Sequence, residues 1–172
     1  MTATTSSTLD QLQSMVENIA AEVNAIDTAA EIVRGILDGN DTDELDSLSF
    51  TEDMCRAAED ADATDDEIRA AMDLLTDLDA VTINNYGCNV ADAFVATYGY
   101  GVTYTGRRPE GSREWDVTGA ELLLAGGGPT VVAVWDLRGF FTVRGTWGDD
   151  VIEVRAWSVE LGNELEVFSQ VD

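Results

Sequence analysis

The sequence predicts an α+β protein, with an acidic helical N-terminal half (residues 1–80) followed by a small antiparallel β-sheet within residues 81–172. Apolar residues recur at helical spacing in the first half, whereas alternating patterns and glycine-rich turns dominate the second. The charge changes at the same boundary, from 21 carboxylates and three arginines to 13 carboxylates and six arginines. The two regions are separate domains or parts of one integrated domain.

A long helix is predicted first. Thr8 and Gln11 have the spacing of a capping box, and residues 38–40 provide a stop signal. Between them, apolar residues at alternating spacings of four and three form a heptad seam. The seam comprises Leu12, Val16, Ile19, Val23, Ile26, Ala30, Val33 and Leu37. A second cap at Asp27 or Thr28 would divide the segment into two helices. The seam packs on its own domain or joins two copies as a homodimer through residues 12–37.

Two shorter acidic helices are predicted next. Thr51 caps the first, over residues 52–61, and a capping box of Thr64 and Glu67 begins the second, which ends near residue 78. The apolar face of the first comprises Met54, Ala57, Ala58 and Ala61. The apolar stripe of the second comprises Ile68, Ala71, Met72, Leu75 and Leu78.

The C-terminal half predicts a short helix, capped by Asn89 and ended by Gly99, and then a run of turn residues over 98–112. Strands are predicted near residues 114–124, 130–137, 140–146 and 150–158. In the last strand, Val151, Glu153 and Arg155 alternate with Ile152, Val154 and Ala156, which predicts a sheet with one solvated face. The tail is a strand or a helix, and the spacing of Leu165, Phe168 and Val171 favours a helix.

The net charge of −25 excludes nucleic acid and anionic membranes as direct ligands, because both require a basic surface. A cationic partner, divalent cations or concentrated salt fit this charge. The N-terminus lacks a basic region followed by an apolar run, and no apolar stretch approaches the roughly 20 residues that span a bilayer. The sequence therefore predicts a cytoplasmic protein.

Neither catalysis nor a cofactor is predicted. A calcium loop that begins at Asp41 has Asp43 and Glu52 at ligand positions but Leu45 where an oxygen ligand is required, and a loop that begins at Asp38 lacks the twelfth ligand. The serines have no histidine or lysine to act as a base. The glycines of residues 125–129 lie between strands without a phosphate-binding lysine. Cys55 and Cys88 are expected to be buried free thiols.

The predicted acidic helices have carboxylates on their outer faces. Asp66, Asp73 and Asp77 form a stripe opposite the apolar one, and Glu52 and Glu59 face away from the apolar residues of the preceding helix. Helix positions three or four apart lie about 5–6 Å from each other, and duplex DNA has one negative charge per roughly 1.7 Å of axis. Packed helices with such stripes approximate that density. The candidate partner-binding residues are Asp41, Asp43, Glu44, Asp46, Glu52, Asp53, Glu59, Asp60, Asp62, Asp65, Asp66, Asp73 and Asp77.

This composition, with no histidine and with carboxylate stripes on helices, resembles the DNA-mimic inhibitors of phages and mobile elements, including antirestriction proteins and some anti-CRISPR proteins. Residues 121–137, "ELLLAGGGPTVVAVWDL", also resemble a Gly-Gly-Pro hairpin of acidic mobile-element proteins. The resemblance implies a protein that inhibits a cationic nucleic-acid-binding complex of the host and has no catalytic residues.

An alternative function is a halophilic protein-binding or adaptor domain, whose carboxylates serve only solubility in concentrated salt. The total absence of lysine is typical of halophilic proteins. In that case the heptad seam or the sheet binds the partner. One tryptophan lies at or near each predicted strand. These side chains form cross-strand core pairs or, alternatively, a protein-binding hot spot on the sheet. These are Trp115, Trp135, Trp147 and Trp157.

Overall fold

The computed structural model describes residues 4–108, 110 and 116–168 and confirms the α+β fold. The helices are α1 (Thr4–Asn40), α2 (Phe50–Ala58), α3 (Asp65–Leu78), α4 (Ala80–Asn85), α5 (Val90–Tyr98) and α6 (Val159–Phe168). The strands are β1 (Gly101–Arg107), β2 (Asp116–Ala125), β3 (Thr130–Trp135), β4 (Phe140–Trp147) and β5 (Asp150–Trp157). Trp115 lies outside the described residues.

Helix α1 is one continuous helix of 37 residues, so neither Asp27 nor Thr28 begins a second one, and Thr8 lies inside the helix rather than at its cap. The buried seam residues include Leu12, Val16, Val23, Ile26, Ala30 and Val33. Ala25, Ala29, Ile32 and Ile36 are buried as well, which makes the apolar face wider than a heptad seam. Most of the seam is therefore buried within its own chain, with Ile19 and Leu37 half-buried.

The five strands form an antiparallel sheet in the order β1-β2-β3-β4-β5, with each strand beside its neighbour in sequence. Strand β1 lies where only turn residues were predicted. Its glycines and threonines resemble a loop, but Val102 and Tyr104 alternate toward the covered face. The buried face includes Leu122, Val131, Ala133, Trp135, Phe141, Val143 and Ala156.

The opposite face of the sheet is open, as the alternation in β5 predicts, since Val151, Glu153 and Arg155 are exposed. The tryptophans divide between the two environments. Trp135 is buried, whereas Trp147 and Trp157 are exposed.

The described part of the C-terminal tail is helical through Phe168, in agreement with the spacing that favoured a helix, and Val171 lies outside the described residues. Leu161 and Leu165 of α6 are fully buried, and the Tyr104 hydroxyl donates a 2.9 Å hydrogen bond to the carbonyl oxygen of Leu165. Within the described residues, no helix combines the length and the hydropathy that a membrane span requires.

The chain divides into two compact units at positions other than the predicted boundary near residue 80. The sheet unit comprises Met1–Ala21 and Tyr98–Asp172, and the helical unit comprises Glu22–Thr97. Helix α1 contributes to both, because its first turns pack on the sheet. There Leu12 and Val16 lie against Gly145 of β4. Sequence periodicity identifies such a helix but not the element on which each of its turns packs.

Replacing Gly145 with alanine is expected to destabilise the fold by about 1–3 kcal/mol, the usual cost of overpacking a core. A Cβ atom at this position would clash with Val16 and lie 2.9 Å from Cδ1 of Leu12. Urea unfolding measures the change. Gly126→Ala is the matched control, because no heavy atom lies within 4 Å of its added Cβ. Equal unfolding midpoints for the two variants would contradict the packing of α1 on β4.

Candidate acidic interaction surface

Twelve of the thirteen predicted partner-binding carboxylates are exposed, and all thirteen belong to the helical unit. That unit contains 20 carboxylates and three arginines, a net charge of −17, whereas the sheet unit contains 14 and six, a net charge of −8. We call the twelve exposed residues the acidic surface. The loop from residue 41 to 49 presents Asp41, Asp43, Glu44 and Asp46; α2 and the turn after it present Glu52, Glu59, Asp60 and Asp62; α3 presents Asp65, Asp66, Asp73 and Asp77.

Asp53 does not belong to the acidic surface, because it is buried, with 6% of its area exposed. Its carboxylate accepts a 2.6 Å hydrogen bond from the Ser49 hydroxyl and forms a 3.1 Å ion pair with Arg56. A buried carboxylate with two such partners stabilises the start of α2. The sequence listed Asp53 among the partner-binding carboxylates, but in α2, which begins at Phe50, it lies on the buried side with Phe50 and Met54.

Helix α3 has the predicted start and end. The Thr64 hydroxyl and backbone N–H donate hydrogen bonds of 2.6 and 2.8 Å to the Glu67 carboxylate, which completes the capping box and lowers the pKa of Glu67. Arg69 pairs with Asp66 at 2.9 Å on the exposed side. The buried face comprises Ala71, Leu74, Leu75 and Leu78, with Ile68 and Met72 half-buried at its edge.

Helix α2 is shorter than predicted and ends at Ala58, so Glu59, Asp60 and Asp62 lie in the turn that follows it. Ser49 rather than Thr51 occupies the N-cap position. Glu31 of α1 accepts a 3.3 Å hydrogen bond from the backbone N–H of Asp62, which connects this turn to the long helix. The carboxylates of the turn therefore have a defined position.

Asn84 of α4, which the sequence did not single out, fixes the acidic loop. Its side-chain oxygen accepts a 2.8 Å hydrogen bond from the Leu45 backbone N–H, and its side-chain nitrogen donates one of 2.9 Å to the Leu45 carbonyl oxygen. The Cys88 thiol lies 3.5 Å from the carbonyl oxygen of Asp43 in the same loop. Because 39 positions separate Asn84 from Leu45, no local pattern indicates this contact.

Glu22 extends the negative charge of α3 onto α1. Burial raises the pKa of Glu22 above its ordinary value of 4.5, and the nearby Asp77 carboxylate raises it further. Sequence spacing could not place Glu22 and Asp77 together, since they belong to different helices. Like charges this close destabilise the helical unit at neutral pH, and a cationic partner or salt would relieve the repulsion.

A groove of about 480 Å³ runs along the acidic surface between α2 and α3. Its apolar lining includes Cys55, Ala58, Ala61, Ala63, Ile68 and Met72, and Glu59 and Asp65 provide its carboxylates. The prediction of buried thiols was wrong, because Cys55 is exposed in this groove and Cys88 is half-buried. In the described part of the chain, no group of three or more potential ligands is arranged to hold a metal ion.

Comparison of the chain with protein-family models, curated proteins and solved structures finds no significant match. The function is therefore inferred from the charges, contacts and surfaces of the chain itself.

Replacing Asn84 with alanine removes both hydrogen bonds to Leu45, so the free energy of unfolding is expected to fall by about 1–3 kcal/mol. Hydrogen exchange at the Leu45 amide should accelerate, because the loop loses its anchor. Asn85→Ala, at an exposed position of the same helix, is the control and should change stability by less than about 0.5 kcal/mol. Unchanged exchange at Leu45 in the Asn84 variant would contradict the role of this side chain.

Replacing Glu22 with glutamine is expected to raise the free energy of unfolding at pH 7. The folded chain holds the Glu22 proton more tightly than the unfolded chain, so the ionised group destabilises the fold above its ordinary pKa of 4.5. Below that pH both states hold the proton, and the gain should disappear. Denaturant unfolding at pH 7 and about pH 4 measures both values. Asp38→Asn, at an exposed position of α1, is the control, and an equal gain there would contradict a specific cost at Glu22.

Proposed function

We propose that this chain is a cytoplasmic, nucleic-acid-mimicking inhibitor that binds the cationic DNA- or RNA-binding surface of a host defence complex of the antirestriction or anti-CRISPR target class. The acidic surface takes the place of the phosphates, and arginines of the partner contact its carboxylates. The observation that carries the proposal is the concentration of twelve exposed carboxylates in the more acidic of the two compact units.

The positions of these carboxylates support mimicry, because hydrogen bonds fix the segments that present them. The capping box orders the start of α3, Asn84 holds the loop, and Glu31 holds the turn after α2. Along α3, Asp73 and Asp77 are separated by one helical turn, a rise of about 6 Å. A rigid array of charges requires little ordering when it binds, which favours affinity.

The charge also supports fast association. A surface with a single sign of charge steers an oppositely charged partner and raises the association rate, and this effect falls as salt screens the field. Within the described part of the helical unit, ion pairs join Arg56 to Glu52 and Asp53, and Arg69 to Asp66, so most of the carboxylates of the acidic surface remain available to a partner. Binding should therefore weaken as the ionic strength rises.

The groove between α2 and α3 would supplement the charges. Charged contacts at an exposed rim contribute mainly to rate and specificity, whereas buried apolar contacts contribute most of the affinity. Ile68 and Met72 offer such a contact, and Glu59 and Asp65 would pair with cations beside it. An apolar side chain flanked by arginines on the partner fits this arrangement.

Competition with duplex DNA tests the proposal. The immobilised chain is incubated with host extract at low ionic strength, and complexes that duplex DNA elutes are purified and titrated. Wild type should displace fluorescent DNA from such a complex. Neutralising five carboxylates of the acidic surface should weaken binding by roughly one to three orders of magnitude, at 0.2–1 kcal/mol per exposed pair. The variant combines Glu52→Gln, Glu59→Gln, Asp66→Asn, Asp73→Asn and Asp77→Asn.

A control variant removes the same number of exposed carboxylates from the sheet unit and should bind as wild type does. It combines Asp10→Asn, Glu17→Gln, Asp149→Asn, Asp150→Asn and Glu166→Gln. If both variants bind alike, or if bound DNA is not displaced, the mimicry proposal is wrong. The adaptor alternative predicts instead that the chain unfolds when the salt is lowered from about 1 M to about 0.1 M, whereas a mimic remains folded at low salt.

A further inference from the structure

A hollow of about 280 Å³ lies on the open face of the sheet, beside the turn from β3 to β4. It is lined by Asp136, Arg138, Phe140, Phe141, Thr142 and Arg155. Both arginines are exposed. All six residues belong to the sheet unit, so the hollow is distinct from the acidic surface.

Three alternate cross-strand pairs of β4 and β5, all on the open face, explain why this position has an available positive charge. Phe140 pairs with Trp157, and their rings meet edge to face with centroids 4.4 Å apart. Two positions further along β4, Thr142 pairs with Arg155, and the next pair on the same face is Arg144 with Glu153. Arg144 and Glu153 form a 2.6 Å ion pair, whereas Thr142 offers Arg155 no charge.

The other arginines of the described chain have interactions. Arg56, Arg69, Arg107 and Arg144 form ion pairs, and Arg34 and Arg108 also interact with another group. Among the described residues, the guanidinium groups of Arg138 and Arg155 form neither an ion pair nor a hydrogen bond, although the chain has 34 carboxylates. Both of these arginines line the hollow.

We infer that the hollow is a binding site for an oxyanion, a carboxylate or a phosphate, attached to an aromatic or apolar group. Arg138 and Arg155 hydrogen-bond the oxyanion, because the planar guanidinium matches both groups in two-bond geometry. Phe140, half of whose area is exposed, contacts the apolar part of the ligand. This site goes beyond the proposed inhibition and does not depend on it.

The net charge of the residues that line the hollow indicates how many negative charges the ligand carries. Asp136 contributes one carboxylate to the lining, and its Oδ1 accepts a 3.0 Å hydrogen bond from the backbone N–H of Arg138. Two guanidinium groups and one carboxylate leave a net charge of +1, which fits a ligand with one or two negative charges. At physiological salt the Debye length is about 8 Å, so most of the chain's other charges are screened at the hollow.

Titration with small aromatic anions tests the site. Benzoate and phenyl phosphate are added to the full chain at about 0.15 M salt, and the Trp157 indole N–H resonance is followed by NMR, since Trp157 contacts Phe140. We expect saturable shifts with dissociation constants on the order of 1 mM for at least one anion. Whichever of the two anions binds with the lower dissociation constant identifies the ligand class, a carboxylate for benzoate and a phosphate for phenyl phosphate. Acetate and inorganic phosphate should bind more weakly, because they lack a ring.

Matched variants test which arginines bind. Arg155→Gln and Arg138→Gln should each weaken binding by about tenfold, the loss of a charge-assisted hydrogen-bonded contact. Arg144→Gln removes the same charge from the same face of the sheet, but Arg144 does not line the hollow. The affinity of this variant for the anion should stay within about twofold of wild type. Absence of saturable shifts with both anions, equal shifts with neutral benzyl alcohol, or an equal loss in the Arg144 variant would each overturn the inference.

Discussion

The packing of the apolar face of α1 is the contact on which the rest of the fold depends. In the sheet unit, Leu12 and Val16 approach Gly145 so closely that β4 has no room for a side chain there. In the helical unit, Ile26 and Val33 are almost completely buried. One helix thus supplies core residues to each unit. The carboxylates of the acidic surface lie on short helices and turns, and local capping and single side-chain contacts order these segments.

A net charge of −17 in the helical unit opposes folding, and specific interactions offset this repulsion. The buried Asp53 carboxylate forms an ion pair with Arg56, and the Glu67 carboxylate accepts two hydrogen bonds from Thr64. Some repulsion remains between Glu22 and Asp77, since burial and the Asp77 carboxylate both raise the pKa of Glu22. The same interactions that allow the acidic helices to fold also hold their carboxylates in fixed positions. Stability and a rigid pattern of charge thus have a common origin in this unit.

The sequence predicts those features that depend on local periodicity and capping. The capping box of α3, the alternation in β5 and the four later strands are examples, because neighbouring residues alone determine them. Strand β1 was missed because its glycines and threonines resemble a loop, and only pairing with β2 makes it a strand. The burial of Asp53 and the contact between Asn84 and Leu45 depend on which elements pack together. Twelve of the thirteen candidate partner-binding residues are exposed, since a carboxylate without a partner is rarely buried, and their role stays a prediction.

The uneven distribution of both signs of charge supports the proposed binding surfaces over simple hydration. Carboxylates that served only solubility in salt would be expected at similar density on both units, but the helical unit has the smaller span of sequence and about twice the net charge. Solubility also gives no reason for Arg138 and Arg155 to line the same hollow without an acidic partner among the described residues. The helical unit presents the acidic surface, whereas the hollow of the sheet unit has two arginines and one carboxylate. We therefore propose opposite ligands for the two surfaces, a cationic protein at the helical unit and a small anion at the sheet, and each proposal can fail without affecting the other.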